Sequence, residues 1–302
     1  MSLVPRAVLV HRTTEYEELV ARHGTHGQAA FFLRSRGRDI EEVAERHHRT
    51  RRSMAEVTAA IPLTWRQTQL ERADLDRFLF APEDVVVVVG QDGLVANVAK
   101  YLAGQPVVGI DTDPGRNPGV LVRHRPADAR TLLASVLATA TGGSELTMVE
   151  AVADDTQRLL ALNEIYLGAA GHQTARYRLS LDDDRGVVEA QASSGVLVGT
   201  GTGASGWLRS VWQERGGAGA GPRLPGPTED RLVWFVREAW PSPATGTSLV
   251  AGELGAEGRL TLTVESERLI AFGDGIESDA VELTWGQTVR VGVGGERLRL
   301  VG

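Results

Sequence analysis

Val85-Val86-Val87-Val88-Val89-Gly90-Gln91-Asp92-Gly93 is the stretch that decides how this chain reads. Five consecutive β-branched residues with no polar alternation form the pattern of a strand buried on both faces, inside a parallel sheet. In open α/β sheets, ligands bind just beyond the carboxyl ends of such strands. There the chain places two glycines and one carboxylate. Glycine lets backbone approach a phosphate closely, and a carboxylate can take a proton or hold a metal. The simpler reading is a strand that ends in an ordinary Asp-Gly turn.

The surroundings favour the first reading. Leu94 to Ala103 repeats apolar residues at helical spacing. Pro106 to Ile110 is a second buried strand, and Asp111-Thr112-Asp113-Pro114-Gly115 is a turn after it. Strand, turn, helix, strand is a βαβ unit. Upstream, Ala7 to His11 reads as a strand, and Thr14 to His23 and Asp39 to Ala60 as helices, the second closed by Pro62. Leu70 to Phe80 is expected to be helical, capped by Asp74 or a neighbour, and Asp128 to Ala140 is an amphipathic helix. The character changes after Gly142-Gly143. Strands are predicted at Met148–Ala153, Leu162–Leu167, Arg176–Leu181, Val187–Ala192 and Gly195–Gly199. They continue at Arg231–Ala239, Thr247–Ala251, Leu260–Glu265, Val281–Leu283 and Val289–Val293. Glu214 to Asp230, rich in Gly and Pro, reads as a long mobile loop. The expected fold is an α/β N-terminal domain with a Rossmann-like parallel sheet (1–143) and a β-rich C-terminal domain (144–302).

Composition bounds the function. The chain has 302 residues, 42% of them hydrophobic, enough for a sizeable core without metals or disulfides. It has no cysteine, hence no thiol nucleophile and no cysteine-ligated metal. No run of about 18 apolar residues crosses a membrane, and the N-terminus lacks the apolar core of a signal peptide. These features predict a cytoplasmic protein. A net charge of -7 argues against nucleic acid as a partner. The one basic run, Arg46-His47-His48-Arg49-Thr50-Arg51-Arg52, lies among Glu41, Glu42, Glu45 and Glu56, so a solvated helix face is expected.

A second glycine-rich stretch, Gly199-Thr200-Gly201-Thr202-Gly203-Ala204-Ser205-Gly206, follows an apolar strand and precedes Trp207 to Trp212. Backbone amides and hydroxyls packed that densely form an anion cradle. Gly201 to Gly206 fits Gly-x-Gly-x-x-Gly literally. The acids about 20 residues on, Glu229 and Asp230, fall in or beside the Pro/Gly loop, which disfavours a dehydrogenase. A P-loop needs Gly-Lys, and Lys100 is the only lysine.

Taken in order, these stretches resemble the ATP-dependent NAD kinases. That family's Gly-Gly-Asp-Gly after a hydrophobic strand is here Gly90-Gln91-Asp92-Gly93. Its strand ending in Gly-Ile/Val-Asn is Gly109-Ile110-Asp111, followed by Thr112-Asp113-Pro114-Gly115-Arg116, which is similar to a run in the mitochondrial branch. Its Asn-Glu pair is Asn163-Glu164. Its Asp-Gly-Leu-Ile-Val-Ser-Thr-Pro-Thr-Gly-Ser-Thr-Ala-Tyr stretch is Ser194 to Trp207, and its late Asp-Gly is Asp274-Gly275. The resemblance runs from about residue 85 to the C-terminus. Gln91, Leu94, Asp111, Ser194 and Trp207 depart from the family pattern.

The resemblance implies an NAD kinase-like fold with the site between its domains, and a homodimer or homotetramer. It implies phosphorylation of the adenosine-ribose 2′-hydroxyl of NAD by ATP with Mg²⁺, giving NADP. Asp92 would be the general base. Asn163 and Glu164 would hydrogen-bond the dinucleotide, and Thr200, Thr202, Gly203 and Ser205 would line its adenine and phosphate side. Gly90, Gln91, Gly93, Asp111 and Asp274 would belong to the nucleotide site. With one lysine, phosphate charge falls to backbone amides, the metal and arginines such as Arg116. The departures leave two alternatives open: a kinase of this fold acting on another nucleotide, nucleoside or sugar hydroxyl, and a nucleotide-binding protein without turnover.

No metal site made of side chains is expected. His23 and His26 read as a loop pair. His172 reads either as a residue near the Asn-Glu pair or as a solvated loop residue. Ser193 lacks the Gly-x-Ser-x-Gly of a nucleophile elbow, and Asp182-Asp183-Asp184 reads as a hairpin turn. The six tryptophans are expected in the core or an interface.

Overall fold

The structure, a computed structural model, describes residues 4–115, 119–138, 143–154, 156–182, 186–219 and 221–302. The chain forms two compact units, Met1–Ser144 with Arg299–Gly302, and Glu145–Leu298. The second unit thus ends at Leu298, because the last four residues belong with the first.

The first unit holds β1 (Arg6–His11), α1 (Glu15–His23), α2 (His26–Arg34), α3 (Ile40–Ala60), β2 (Arg66–Glu71), β3 (Asp84–Gly90), α4 (Asp92–Ala99), β4 (Pro106–Asp111) and α5 (Ala129–Ala138). The strands pair in parallel in the order β2-β1-β3-β4, and Arg299–Val301 adds a parallel neighbour to β4. The five valines of β3 are at most 3% exposed, as a strand covered on both faces must be. Val85, Val87 and Val89 pack with Met54 and Val57 of α3 and Leu133 of α5. Fully burying each valine is worth about 1.5–3 kcal/mol. Asp84 opens the strand buried, bound through both oxygens by Arg6 and through Oδ2 by the Ala81 amide.

Local chemistry sets the helix ends. Thr14 and Glu17 form a reciprocal capping box on α1, and Asp39 caps α3. Two elements differ from expectation. Leu70 to Phe80 is not a helix: β2 ends at Glu71, whose carboxylate caps a 3₁₀ segment, Arg72–Arg77. Parallel pairing with β1 prevails there over an ambiguous local pattern. His23 and His26 are not a loop pair: His23 ends α1 and His26 opens α2. Thr25 caps α2 ahead of it, and its ring meets Tyr16 and Glu41. The basic run is neutralised by acids other than its sequence neighbours: Arg46 pairs with Glu15, Arg51 with Glu17 and Arg49 with Asp113.

The second unit continues with β5 (Ser144–Ala153), β6 (Gln157–Ala161), β7 (Glu164–Gly168), β8 (Ala175–Leu181), β9 (Val188–Ser193), β10 (Val196–Gly199) and α6 (Trp207–Glu214). Then come β11 (Leu232–Val236), β12 (Ala251–Leu254), β13 (Arg259–Val264), β14 (Arg268–Gly273), β15 (Ile276–Thr284) and β16 (Thr288–Val301). One antiparallel sheet runs β12-β11-β10-β7-β14-β15. In the other, β16, β13, β8 and β9 pair antiparallel in that order, and the β5–β6 hairpin joins through β5. Residues from both sheets form one core that includes Ile165, Tyr177, Val198, Trp234, Leu262 and Leu269. Tyr166, Leu197, Phe235 and Phe272 form a second cluster with Leu208 and Val211 of α6.

The strand expected over Thr247–Ala251 begins only at Ala251, and the segment before it is irregular. Trp240 and Gly246 donate their amides to Ala192 and Ala190, which covers the outer edge of β9. The Gly/Pro stretch from Glu214 is irregular but tethered: Trp212 Nε1 donates to Pro222 O, and Glu229 binds Arg223 and the Gly226 amide. Trp65 and Trp234 are buried, Trp207 and Trp212 half-buried, and Trp240 and Trp285 exposed. Asp183, Asp184, Thr139, Ala140 and Gly142 lie outside the described residues. Among the described residues, no helix is long and apolar enough to cross a membrane.

Candidate functional site

In the first unit, β3 ends at Gly90 and α4 starts at Asp92, with Gln91 as the cap residue that makes no side-chain cap bond. Gln91, Asp92, Gly93, Asp111, Asp113, Gly119 and Val122 line a cavity of about 210 Å³. A side chain at Gly93 would meet nothing within 4 Å, so that backbone faces open space. Gly90 lies opposite Asp111 across the β3–β4 pair, and a side chain there would touch Leu94. Asp111 accepts from the Asp113 amide through Oδ1, an Asx turn that shapes the cavity wall. Arg116 lies outside the described residues.

Asp92 does more than the sequence indicates. Its Oδ1 accepts from the Leu121 and Val122 amides at 2.9 and 2.8 Å, and its Oδ2 from the Val120 amide at 2.8 Å. A carboxylate has about four acceptor positions, so one remains, on Oδ2. The 120–122 segment approaches because β4 carries a glycine beneath it. A Cβ on Gly109 would lie 2.2 Å from Leu121 O. His124 continues the contact, donating its amide to Gly109 O and accepting from the Asp111 amide.

In the second unit, three stretches far apart in sequence meet. Asp274 sits in a turn at φ +54°, followed by Gly275 at +68°. Its carboxylate accepts from the amides of Leu162 (2.8 Å), Asn163 (2.7 Å) and Glu164 (3.4 Å). Asp274 N donates to Glu164 O, and Thr200 N to Asn163 O. Thr200 is fully buried. Its hydroxyl donates to Leu162 O and accepts from the Thr202 and Gly203 amides. Thr200 and Asp274 therefore frame this loop from within rather than line it. At Gly203, a Cβ would lie 2.4 Å from Asn163 O, so only glycine permits that approach.

The groups left for a ligand are Asn163, Glu164, Thr202 and Ser205. Asn163 and Glu164 are half-buried, and neither side chain is hydrogen-bonded among the described residues. The Thr202 hydroxyl is buried without a partner, while Ser205 is exposed and donates to Thr202 O. Burial, reinforced by the Asp274 charge, pushes the Glu164 carboxyl up to about 8. His172 is exposed in a bend after β7. No protein-family model matches the chain, and no curated protein matches it. Among the described residues, no group of three His, Asp or Glu side chains is arranged to hold a metal.

Sequence reasoning named Asp92 and Asp274 for contact with ligand and missed that each gathers three successive amides. Nothing in the local sequence marks the amide partners, which lie 28–30 and 110–112 residues away.

Proposed function

We propose that this chain is a phosphotransferase of NAD-kinase type, moving the γ-phosphoryl group of ATP to the adenosine-ribose 2′-hydroxyl of NAD. The observation that carries this reading is the convergence around Asp274. Asn163-Glu164, the Thr200–Gly206 loop and Asp274-Gly275 are three of the stretches that resemble the family, and backbone hydrogen bonds join them. The NAD kinase-like fold assignment belongs to the same proposal.

The chemistry asked of the residues is simple. The free acceptor position of Asp92 takes the hydroxyl proton, the ribose oxygen bonds to the γ-phosphorus, and the bond to the β-phosphate oxygen breaks to release ADP. The open backbone at Gly93 and the amides of the Thr200–Gly206 loop neutralise phosphate charge. Mg²⁺ would arrive with ATP, and no step here depends on a metal ligand from the chain. The reading carries with it a homo-oligomeric cytoplasmic enzyme.

One observation favours a second reading. Asp111 and Asp113 line the cavity beside Asp92, so three acids line it, of which Asp113 pairs with Arg49. That favours an acceptor less anionic than a dinucleotide, such as a nucleoside or polyol. A panel of NAD, NADH, NMN, nucleosides and inositols with γ-labelled ATP separates the two. Label in NADP supports the first, label in an uncharged acceptor alone the second, and no label with retained nucleotide binding a protein without turnover.

A further inference from the structure

The basic run of α3 sends its arginines in two directions. Arg46 and Arg51 pair with Glu15 and Glu17 of α1. Arg49 pairs instead with Asp113, a wall residue of the cavity beside Asp92, at 3.3 Å from its Oδ1. Glu45 stands four residues earlier on the same helix, the spacing at which helical side chains meet, yet Arg49 reaches across to the segment after β4. The helix thus sets a guanidinium at the rim of a cavity lined by Asp92, Asp111 and Asp113.

A second arginine pair in the same unit shows what a structural bond looks like. Arg6 binds both oxygens of Asp84, whose side chain is fully buried. The Arg49 side chain is 45% exposed and that of Asp113 is 23% exposed. An ion pair so open to water holds little energy. A guanidinium is a planar fork of donors that matches two phosphate oxygens at once, and such charge-assisted pairs are the stronger ones. The chain's one lysine does not compete for this task. Lys100 follows the far end of α4, with its ammonium over the Tyr101 ring.

We propose that Arg49 is a phosphate-binding residue of the Asp92 cavity, exchanging Asp113 for the terminal phosphate of a polyphosphate ligand. This rests on the reading of that cavity as the phosphotransfer site. Asp113 and the phosphate compete for one guanidinium, so the acid that holds Arg49 at the rim also sets how readily it is given up.

Calorimetry with inorganic tripolyphosphate on the full chain tests the exchange. Arg49→Gln is expected to weaken binding by about tenfold or more, the loss of a charge-assisted contact. Arg49→Lys is expected to restore part of that, because an ammonium keeps the charge and loses the fork. Asp113→Asn is expected to tighten binding by about threefold or more, and that gain to shrink when Arg49→Gln is added, since the two residues are coupled. Circular dichroism at the assay temperature shows which variants are folded, and Arg49→Lys alone, weaker than wild type, carries the comparison if Arg49→Gln is not. A pair that only held the segment after β4 in place would weaken binding in both single variants alike. That result, equal affinity of wild type and Arg49→Gln, or no binding by wild type overturns the proposal. Arg49-dependent binding without phosphorylation of any acceptor would remove the kinase reading and keep this role. Formation of NADP with affinity indifferent to Arg49 would do the reverse.

Discussion

Asp92 and Asp274 use one local device in two settings. Each carboxylate gathers three consecutive backbone amides, 120–122 for the first and 162–164 for the second. Asp92 lines an open cavity and keeps one acceptor position. Asp274 lies in a positive-φ turn, and its charge bears on a second acid, Glu164. The same hydrogen-bond pattern thus stands beside an open cavity in one unit and beside a buried acid in the other.

Substitution should separate the two roles, with the largest effect at Asp92. Asp92→Asn is expected to lower kcat by about 10²–10⁴, the contribution of a general base. Dinucleotide affinity should stay within about tenfold, or ~1.4 kcal/mol. Turnover that survives the change would remove Asp92 as the base.

The glycines beneath the two clasps come next. Gly109→Ala would press on Leu121 O, and Gly203→Ala on Asn163 O. Each should cost about 1–3 kcal/mol in denaturant unfolding. Gly109→Ala should lower kcat by loosening the 120–122 segment, and Gly203→Ala should weaken binding. Identical kinetic signatures for the two would erase the distinction.

The third effect is on stability against pH. Folded Glu164 keeps its proton to about 8, against 4.5 for an ordinary glutamate. The folded state therefore binds more protons through that window, and stability falls as pH rises across it. Glu164→Gln lacks that loss, so its melting temperature should exceed that of wild type increasingly from pH 5 to pH 9. Parallel melting curves would place the proton elsewhere. The smallest effect is expected for Gln91→Gly, a few-fold change in KM for ATP, since Gln91 lines the cavity without capping α4. An unchanged KM would separate Gln91 from the donor phosphates.

The architecture was largely legible because hydrophobic patterning is local. Val85–Val89 is a strand covered on both faces, and most short β-branched runs after Gly143 are strands of the second unit. Errors fell where tertiary pairing overrides a weak local pattern. Arg66–Glu71 pairs with β1 where a helix was expected nearby, and Gln157–Ala161 and Arg268–Gly273 form strands that the pattern had not marked. The glycine stretches and acids of the candidate site were visible as residue types. Their geometry was not, because hydrogen bonds to backbone amides depend on where distant segments lie and leave no trace in side-chain identity. Thr200 shows this well: a hydroxyl in a glycine loop reads as a ligand contact, yet it is buried and binds Leu162 O.

The most direct measurement of the central claim is ³¹P NMR of the products formed from ATP and NAD, with wild type and Asp92→Asn in parallel. The account predicts a ribose 2′-phosphomonoester resonance that grows with ADP for wild type and is lost, or slowed at least a hundredfold, in the variant. ADP without that resonance, or equal growth in both proteins, would contradict it.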